Sequence, residues 1–288
     1  MKRTARSGLF GSIAQGLKSI LPFKARDRFN KGLYRYLARR AVEHEDLLFW
    51  NFGFAGPSPN GKKLHFNESN EKHLYGIQLY DHVASAADLR GKDVLEVGCG
   101  CGGGSSFLMK HHFPRSYSAI DHAEEAIEFC QQRHSVSGLS FFCGKAESLP
   151  FEKDSFDVVI SVESSHGYGS LDHFLKEVFR VLRANGQLLL TDFRHKNDLD
   201  SLRDHLKRSG FRFLKQEIIT PQVLRAMELD NERKMSLLNQ KAPKLLFNSL
   251  KYWWGTTDSK RYELFSSGEE IYFSYVLQKG THGGTHSS

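Results

Sequence analysis

The chain has 288 residues, room for one or two domains with a sizeable core. Apolar residues make up 40% and charged residues 25%, which excludes a disordered polyelectrolyte, and no run approaches the roughly 18 apolar residues of a membrane span. The formal charge of +7 is concentrated at the front, where Lys2, Arg3, Arg6, Lys18, Lys24 and Arg26 precede the first acid, Asp27.

Residues 1–26 form this basic leader. They lack the unbroken apolar core of a secretory signal. Leu9, Phe10, Ile13, Leu17, Ile20 and Leu21 are spread among the bases. Three readings remain open: a solvated, disordered leader, a transit peptide, or a helix touching a membrane surface. Residues 27–71 read as an N-terminal helical cap and loop. Apolar and basic residues alternate at helical spacing up to Trp50, and Asn51–Lys63 is rich in Gly, Pro and Asn. Cys99, Cys101, Cys130 and Cys143 form no C-x-x-C pair and no zinc spacing, so free thiols in a reducing, cytoplasmic setting and no metal site are expected.

From residue 72 to 220 the pattern is regular. A helix over Lys72–Ala87 leads to a buried strand, Asp93–Val97. A glycine cluster follows, then a helix from about Ser105, a strand ending Ala119-Ile120-Asp121, a helix over Ala123–His134 and a strand over Leu139–Cys143. Phe156–Val162 is a continuous apolar run, as in a strand covered on both faces. Leu171, Phe174, Leu175, Val178, Phe179 and Leu182 mark one face of a helix, stopped by Ala184-Asn185-Gly186. Gln187–Phe193 is a strand, Leu199–Ser209 a helix and Phe211–Ile219 a strand. Polar, helix-period sequence from Pro221 to Ser249 breaks the rhythm, and residues 221–262 read as an inserted helical lid. Glu269–Leu277 supplies a closing strand within 263–280, and 281–288 reads as a disordered tail. The alternation predicts an α/β fold with a doubly wound, mostly parallel seven-stranded sheet.

The densest motif is Glu96-Val97-Gly98-Cys99-Gly100-Cys101-Gly102-Gly103-Gly104, between a strand and a helix. Glycines there let a ligand approach the backbone, and a helix N-terminus offers free N–H groups. Gly98-x-Gly100-x-x-Gly103 matches a dinucleotide fingerprint, and Glu96-x-Gly98-x-Gly100-x-Gly102 matches an S-adenosylmethionine (SAM) loop. Asp121, ending the next strand, suits a ribose in either case. Three further motifs follow in order: Gly144-Lys145-Ala146-Glu147-Ser148-Leu149-Pro150-Phe151, then Phe156-Asp157-Val158-Val159, then Leu182-Arg183-Ala184-Asn185-Gly186. This succession, over roughly Lys72–Ile219, resembles the class I SAM-dependent methyltransferases, whose fold is Rossmann-like. The resemblance implies SAM as cofactor, held by Glu96, Gly98, Gly100, Gly102, Asp121, His122, Ala146, Glu147 and Val162, with Glu96 toward the amino or sulfonium end. Lys145 stands where the family has an acidic adenine contact, so backbone at Ala146 or the Glu147 carboxylate is expected to serve instead.

Val162-Glu163-Ser164-Ser165-His166-Gly167-Tyr168 follows the fourth strand and Asp192 ends the fifth, both at the carboxyl rim where such sheets bind ligands. The run resembles the small-molecule O-methyltransferases of the rebeccamycin sugar type and, with Arg261-Tyr262 and Tyr272-Phe273, the mycobacterial phthiotriol/phenolphthiotriol dimycocerosate methyltransferases. That likeness implies His166 as general base with Asp192 as its partner, acting on a small, apolar, hydroxylated acceptor. Trp50, Phe52, Phe54, Tyr168, Trp253 and Trp254 are expected near it. No nucleic acid is expected, because no Asn/Asp-Pro-Pro-aromatic run follows the fourth strand. C-methylation of a sterol- or quinone-like acceptor is the alternative that Glu163 leaves open, and a SAM-binding protein without turnover is a more distant one. Peripheral membrane contact is read only from the leader.

Overall fold

The structure, a computed structural model, describes Gly32, residues 48–57 and residues 71–280. The basic leader, most of the expected N-terminal cap and the 281–288 tail lie outside the described residues. Strands β1 (Asp93–Val97), β2 (Ser116–Asp121), β3 (Leu139–Cys143), β4 (Phe156–Val162), β5 (Leu182–His195), β6 (Phe211–Ile218) and β7 (Glu270–Lys279) join in one sheet, ordered β3-β2-β1-β4-β5-β7-β6. The pairings from β3 to β5 are parallel, and β7 runs antiparallel to both its neighbours. Chain order reverses between β1 and β4, which opens a crevice at the carboxyl ends of those two strands.

Helices α1 (Leu74–Ala84), α2 (Gly103–His112), α3 (Glu124–Arg133), α4 (Leu171–Val181) and α5 (Leu199–Arg208) cover the sheet. Strand alternation sorts the apolar residues onto two faces. Val94, Ile160 and Leu189 join one core with Phe52 and Phe54, while Leu95, Val159, Leu188 and Leu190 join a second with Phe174 and Leu175. α4 shows why such a segment is helical. Its Phe174, Leu175, Val178 and Val181 are buried at steps of one, three and three, and Ser170 caps its start by accepting from the His173 N–H.

Three local differences from the sequence reading have physical causes. α2 begins at Gly103 rather than near Ser105, because Gly102 at φ 73° serves as a left-handed N-cap. β5 is longer than Gln187–Phe193. The Ala184-Asn185-Gly186 stop ends α4 but lies within the strand, with Asn185 at φ 61°, and Leu182 already pairs with Phe156. The inserted segment is not uniformly peripheral. α6 (Thr220–Leu229) buries Val223 and Met227 in the main core, whereas α7 (Asn231–Lys241) and α8 (Phe247–Trp254) form a separate cluster around Leu238 and Leu250. α9 (Lys260–Ser266) then returns Phe265 to the main core. Among the described residues no helix is long and apolar enough to cross a membrane.

Candidate active site

The loop after β1 is a cradle made by backbone. Gly98 has φ 84°, and a Cβ on it would stand 2.4 Å from the Ser164 Cβ. Ser164 and Tyr168 both donate to the Val97 carbonyl at 3.0 Å, so the end of β4 closes directly over this turn. On the other side Asp121 Oδ2 accepts from the Gly100 N–H at 3.1 Å and Oδ1 from the Ala123 N–H at 3.0 Å. The carboxylate thereby joins the glycine loop to the turn after β2. His122 is more exposed, with Nδ1 3.3 Å from Asp121 Oδ1. Glycine backbone, a helix N-terminus and an acid at the next strand end are the donor set a SAM molecule requires, so these residues fit that cofactor.

Glu96 takes an inner position. It is 0% exposed, and its carboxylate accepts from Tyr80 at 2.8 Å, Ser105 at 2.5 Å and Tyr117 at 2.9 Å. Burial raises its pKa while the three hydroxyls oppose the rise. These three bonds make it a brace that ties α1, α2 and β2 beneath the loop. At the far end Glu147 accepts from the Gly169 N–H at 2.6 Å, linking the turn after β3 to the loop after β4. Ala146 is buried, and Lys145 is exposed beyond it. Val162 is buried at the end of β4.

His166 and Asp192 are brought together. His166 Nδ1 lies 2.8 Å from Asp192 Oδ1, which leaves Nε2 on the opposite side of the ring. Asp192 is 0% exposed and also accepts from the Ser165 hydroxyl at 2.6 Å and the His166 and Phe193 N–H groups. Arg194 stands 3.2 Å away. Burial alone would raise the Asp192 pKa, but His166 and Arg194 outweigh it and hold the carboxyl well below its ordinary value. Sequence reading passed over Arg194. Its spacing of two from Asp192 in a strand, on the same face, was the available signal.

Beside this pair lies a second polar group. Glu163 has φ 46°, and its Oε1 accepts from the Phe52 N–H at 2.7 Å and from Tyr272 at 2.6 Å. Burial pushes its pKa up to about 8. Lys234 on α7 is close enough that each acts on the other's ionisation. The aromatics divide. Phe52 and Phe193 pack at 5.7 Å, and His166 lies 4.5 Å from Phe193. The Arg261 guanidinium is held between Phe193 at 4.2 Å and Tyr252 at 4.4 Å and is ion-paired to Glu270. Phe54 stacks instead on His82, Tyr168 packs on Phe174, Trp253 and Trp254 pack against the Leu238–Leu250 cluster, and Trp50 packs against both that cluster and the main core. Lys234 was missed because Asn231-Glu232-Arg233-Lys234 looks like a solvated helix face. A cavity of about 410 Å³ lies elsewhere, beside α2, lined by residues including Phe49, Ile77, Phe107 and Lys110, and touches neither His166 nor Asp192.

Residues 95–190 match a family model described as a methyltransferase domain. The chain is 41% identical over 226 residues to a fatty-acid O-methyltransferase of Mycolicibacterium smegmatis, covering 78% of this chain and 81% of that protein. It is 34% identical over 252 residues to the phthiotriol/phenolphthiotriol dimycocerosates methyltransferase of Mycobacterium tuberculosis, covering 86% and 93%. Among solved structures, "StiE O-MT residues 942-1257" superposes with a TM-score of 0.64 at 16% identity over 85% of this chain and 92% of that one, a likeness of fold. With the glycine cradle and the acid at the end of β2 already in place, these relatives establish that the chain belongs to the SAM-dependent methyltransferases.

Proposed function

We propose that the protein transfers the methyl group of SAM to an oxygen of an apolar, lipid-like acceptor, with His166 as general base where that oxygen is a hydroxyl. The observation that carries this reading is the 2.8 Å contact between His166 Nδ1 and the buried Asp192. An anionic Asp192 favours the tautomer with the proton on Nδ1, donated to the carboxylate, so that Nε2 is free to accept a proton. When bound, SAM supplies a methyl carbon made electrophilic by its sulfonium. The chain's task is to place an oxygen in line with that carbon, remove its proton and exclude water. Gly98, Gly100, Gly102 and Asp121 would hold the cofactor, with Ala146, Glu147, His122 and Val162 around it and Glu96 bracing the loop. α7 and α8 would cover the acceptor. The names of the two relatives, which pair methyl transfer with a fatty acid and with phthiotriol lipids, support an apolar acceptor.

His166→Ala tests it. With a long-chain alcohol as acceptor, kcat is expected to fall about 10²–10⁴-fold while S-adenosylhomocysteine (SAH) binding stays within a factor of two. An unchanged kcat would remove the base from His166. Mass and NMR analysis of the product separates O-methylation from C-methylation. Membrane contact through the 1–26 leader is tested by liposome co-sedimentation of full-length and leader-deleted protein, and equal partitioning would end that part of the reading.

A further inference from the structure

The α7–α8 hairpin carries more apolar surface than it hides. Phe247, Leu250, Tyr252, Trp253 and Trp254 lie within α8, yet Leu250 is the one residue of that helix that is buried. The cluster it shares with α7 seals only Leu238 and Leu250, and Met235, Leu246, Phe247, Trp253 and Trp254 lie partly buried around them. The turn between the two helices goes further. The Leu246 N–H donates to the Pro243 carbonyl at 2.9 Å, so Lys244 and Leu245 take the two central places of a hydrogen-bonded turn. Leu245 is 87% exposed, more than any other large apolar side chain among the described residues. Turns favour Gly, Asn, Asp and Ser, whose backbone freedom or polar side chains serve the bend, and a leucine serves it in neither way. The charge around this leucine has one sign. From Arg233 to Thr257 the chain has no acid, and its bases are Arg233, Lys234, Lys241, Lys244 and Lys251. Asp230 engages Arg233 and Lys234, and Asp258 engages Lys251. Lys241 ends α7 and Lys244 is exposed in the turn, so the tip itself is basic.

We infer that the turn Pro243–Leu246 docks on a lipid bilayer bearing anionic headgroups. Leu245 enters the boundary between headgroups and acyl chains, Lys241 and Lys244 meet lipid phosphates, and the partly buried Leu246 and Phe247 follow behind. An apolar side chain flanked by bases is the combination that such a surface rewards, through burial of the one and attraction of the others. The alternatives use only half of it. A nucleic acid would engage the lysines and leave Leu245 in water, and a second copy of the chain at the same turn would set lysine against lysine. This surface is separate from the 1–26 leader, and the contact does not depend on the methyl-transfer reading. One consequence does rest on that reading. If α7 and α8 cover the acceptor, the contact sets them against the phase in which an apolar acceptor dissolves.

The test is co-sedimentation of the full chain with vesicles of phosphatidylcholine alone and of phosphatidylcholine mixed with phosphatidylglycerol. The wild type is expected to partition onto the mixed vesicles, and less so in high salt. Leu245→Ser should weaken that partitioning about tenfold, and Lys241→Ser combined with Lys244→Ser by a similar factor. Leu245 is exposed, so the thermal midpoint of Leu245→Ser should match wild type. Absence of wild-type partitioning, or partitioning that either set of substitutions leaves unchanged, would overturn the inference, the latter by assigning the binding to another part of the chain. Light scattering covers the remaining occupant. A wild-type dimer that Leu245→Ser dissociates, with vesicle binding unchanged, would make the turn an interface between copies of this chain instead. Binding is read without turnover, so its failure would leave the methyl-transfer reading standing.

Discussion

Asp192, itself shut off from solvent, accepts from Ser165, from two backbone N–H groups and from His166, with Arg194 beside it. Removing it would leave Arg194 without its countercharge. Asp192→Ala is therefore expected to cost about 3–5 kcal/mol in urea denaturation, and Asp192→Asn less, since the amide still accepts. The pKa of Asp192 is depressed in the folded protein, so the stability it contributes is present above its ordinary value and is lost as pH falls below about 4. Glu163 has the opposite sign. Its folded value is raised to about 8, so between roughly pH 4.5 and 8 the folded state binds more protons than the unfolded chain. Stability then falls as pH rises through that window, by about 1.4 kcal/mol per unit at most. Glu163→Gln should flatten this part of the stability–pH curve and be the more stable protein at pH 8. A curve parallel to wild type would show that Glu163 ionises freely.

At the scale of elements, the turn after β1 admits little change. A Cβ at Gly98 combines a φ of 84° with a 2.4 Å approach to Ser164. Gly98→Ala is expected to lose about 1–3 kcal/mol of stability and most SAH affinity, the second measured by calorimetry. In α4, Phe174→Ala opens a void under a wholly buried ring and should cost about 3–5 kcal/mol. These two elements were also the most legible ones. α4 announces itself through apolar steps of three and four, and the loop through glycines that have little other use. α6 was obscured because Gln222, Arg225 and Glu228 flank and interrupt Val223, Ala226 and Met227, and the polar residues dominated the impression. Asp192 and His166 could be placed together because both follow strand ends at one rim. Lys234 could not, since its burial depends on how α7 docks against a segment far away in the chain.

At the scale of the molecule, the sheet order places the glycine loop and Glu163 at the switch point and His166 and Asp192 at the next strand pair. The residues proposed to meet cofactor and acceptor therefore share one rim although they span Gly98 to Asp192. β7 sits between β5 and β6 and pairs with both. Deleting residues 269–280 would leave β6 without a partner and the edge of β5 open. The truncated protein is expected to be insoluble or molten by circular dichroism, and a cooperative, soluble product would contradict this role for β7.

The same insertion sets a timetable for synthesis. Thr220, two residues past the end of β6, bonds to Tyr272 in β7, 52 residues later. At a ribosomal rate of 5–20 residues per second, β6 emerges roughly 3–10 s before the strand that anchors it. Through that interval the nascent chain presents an unpaired sheet edge at β5 beside an unattached β6. That is the period in which a chaperone would have most to shield, and in which slow translation across the α6–α9 codons would prolong the risk.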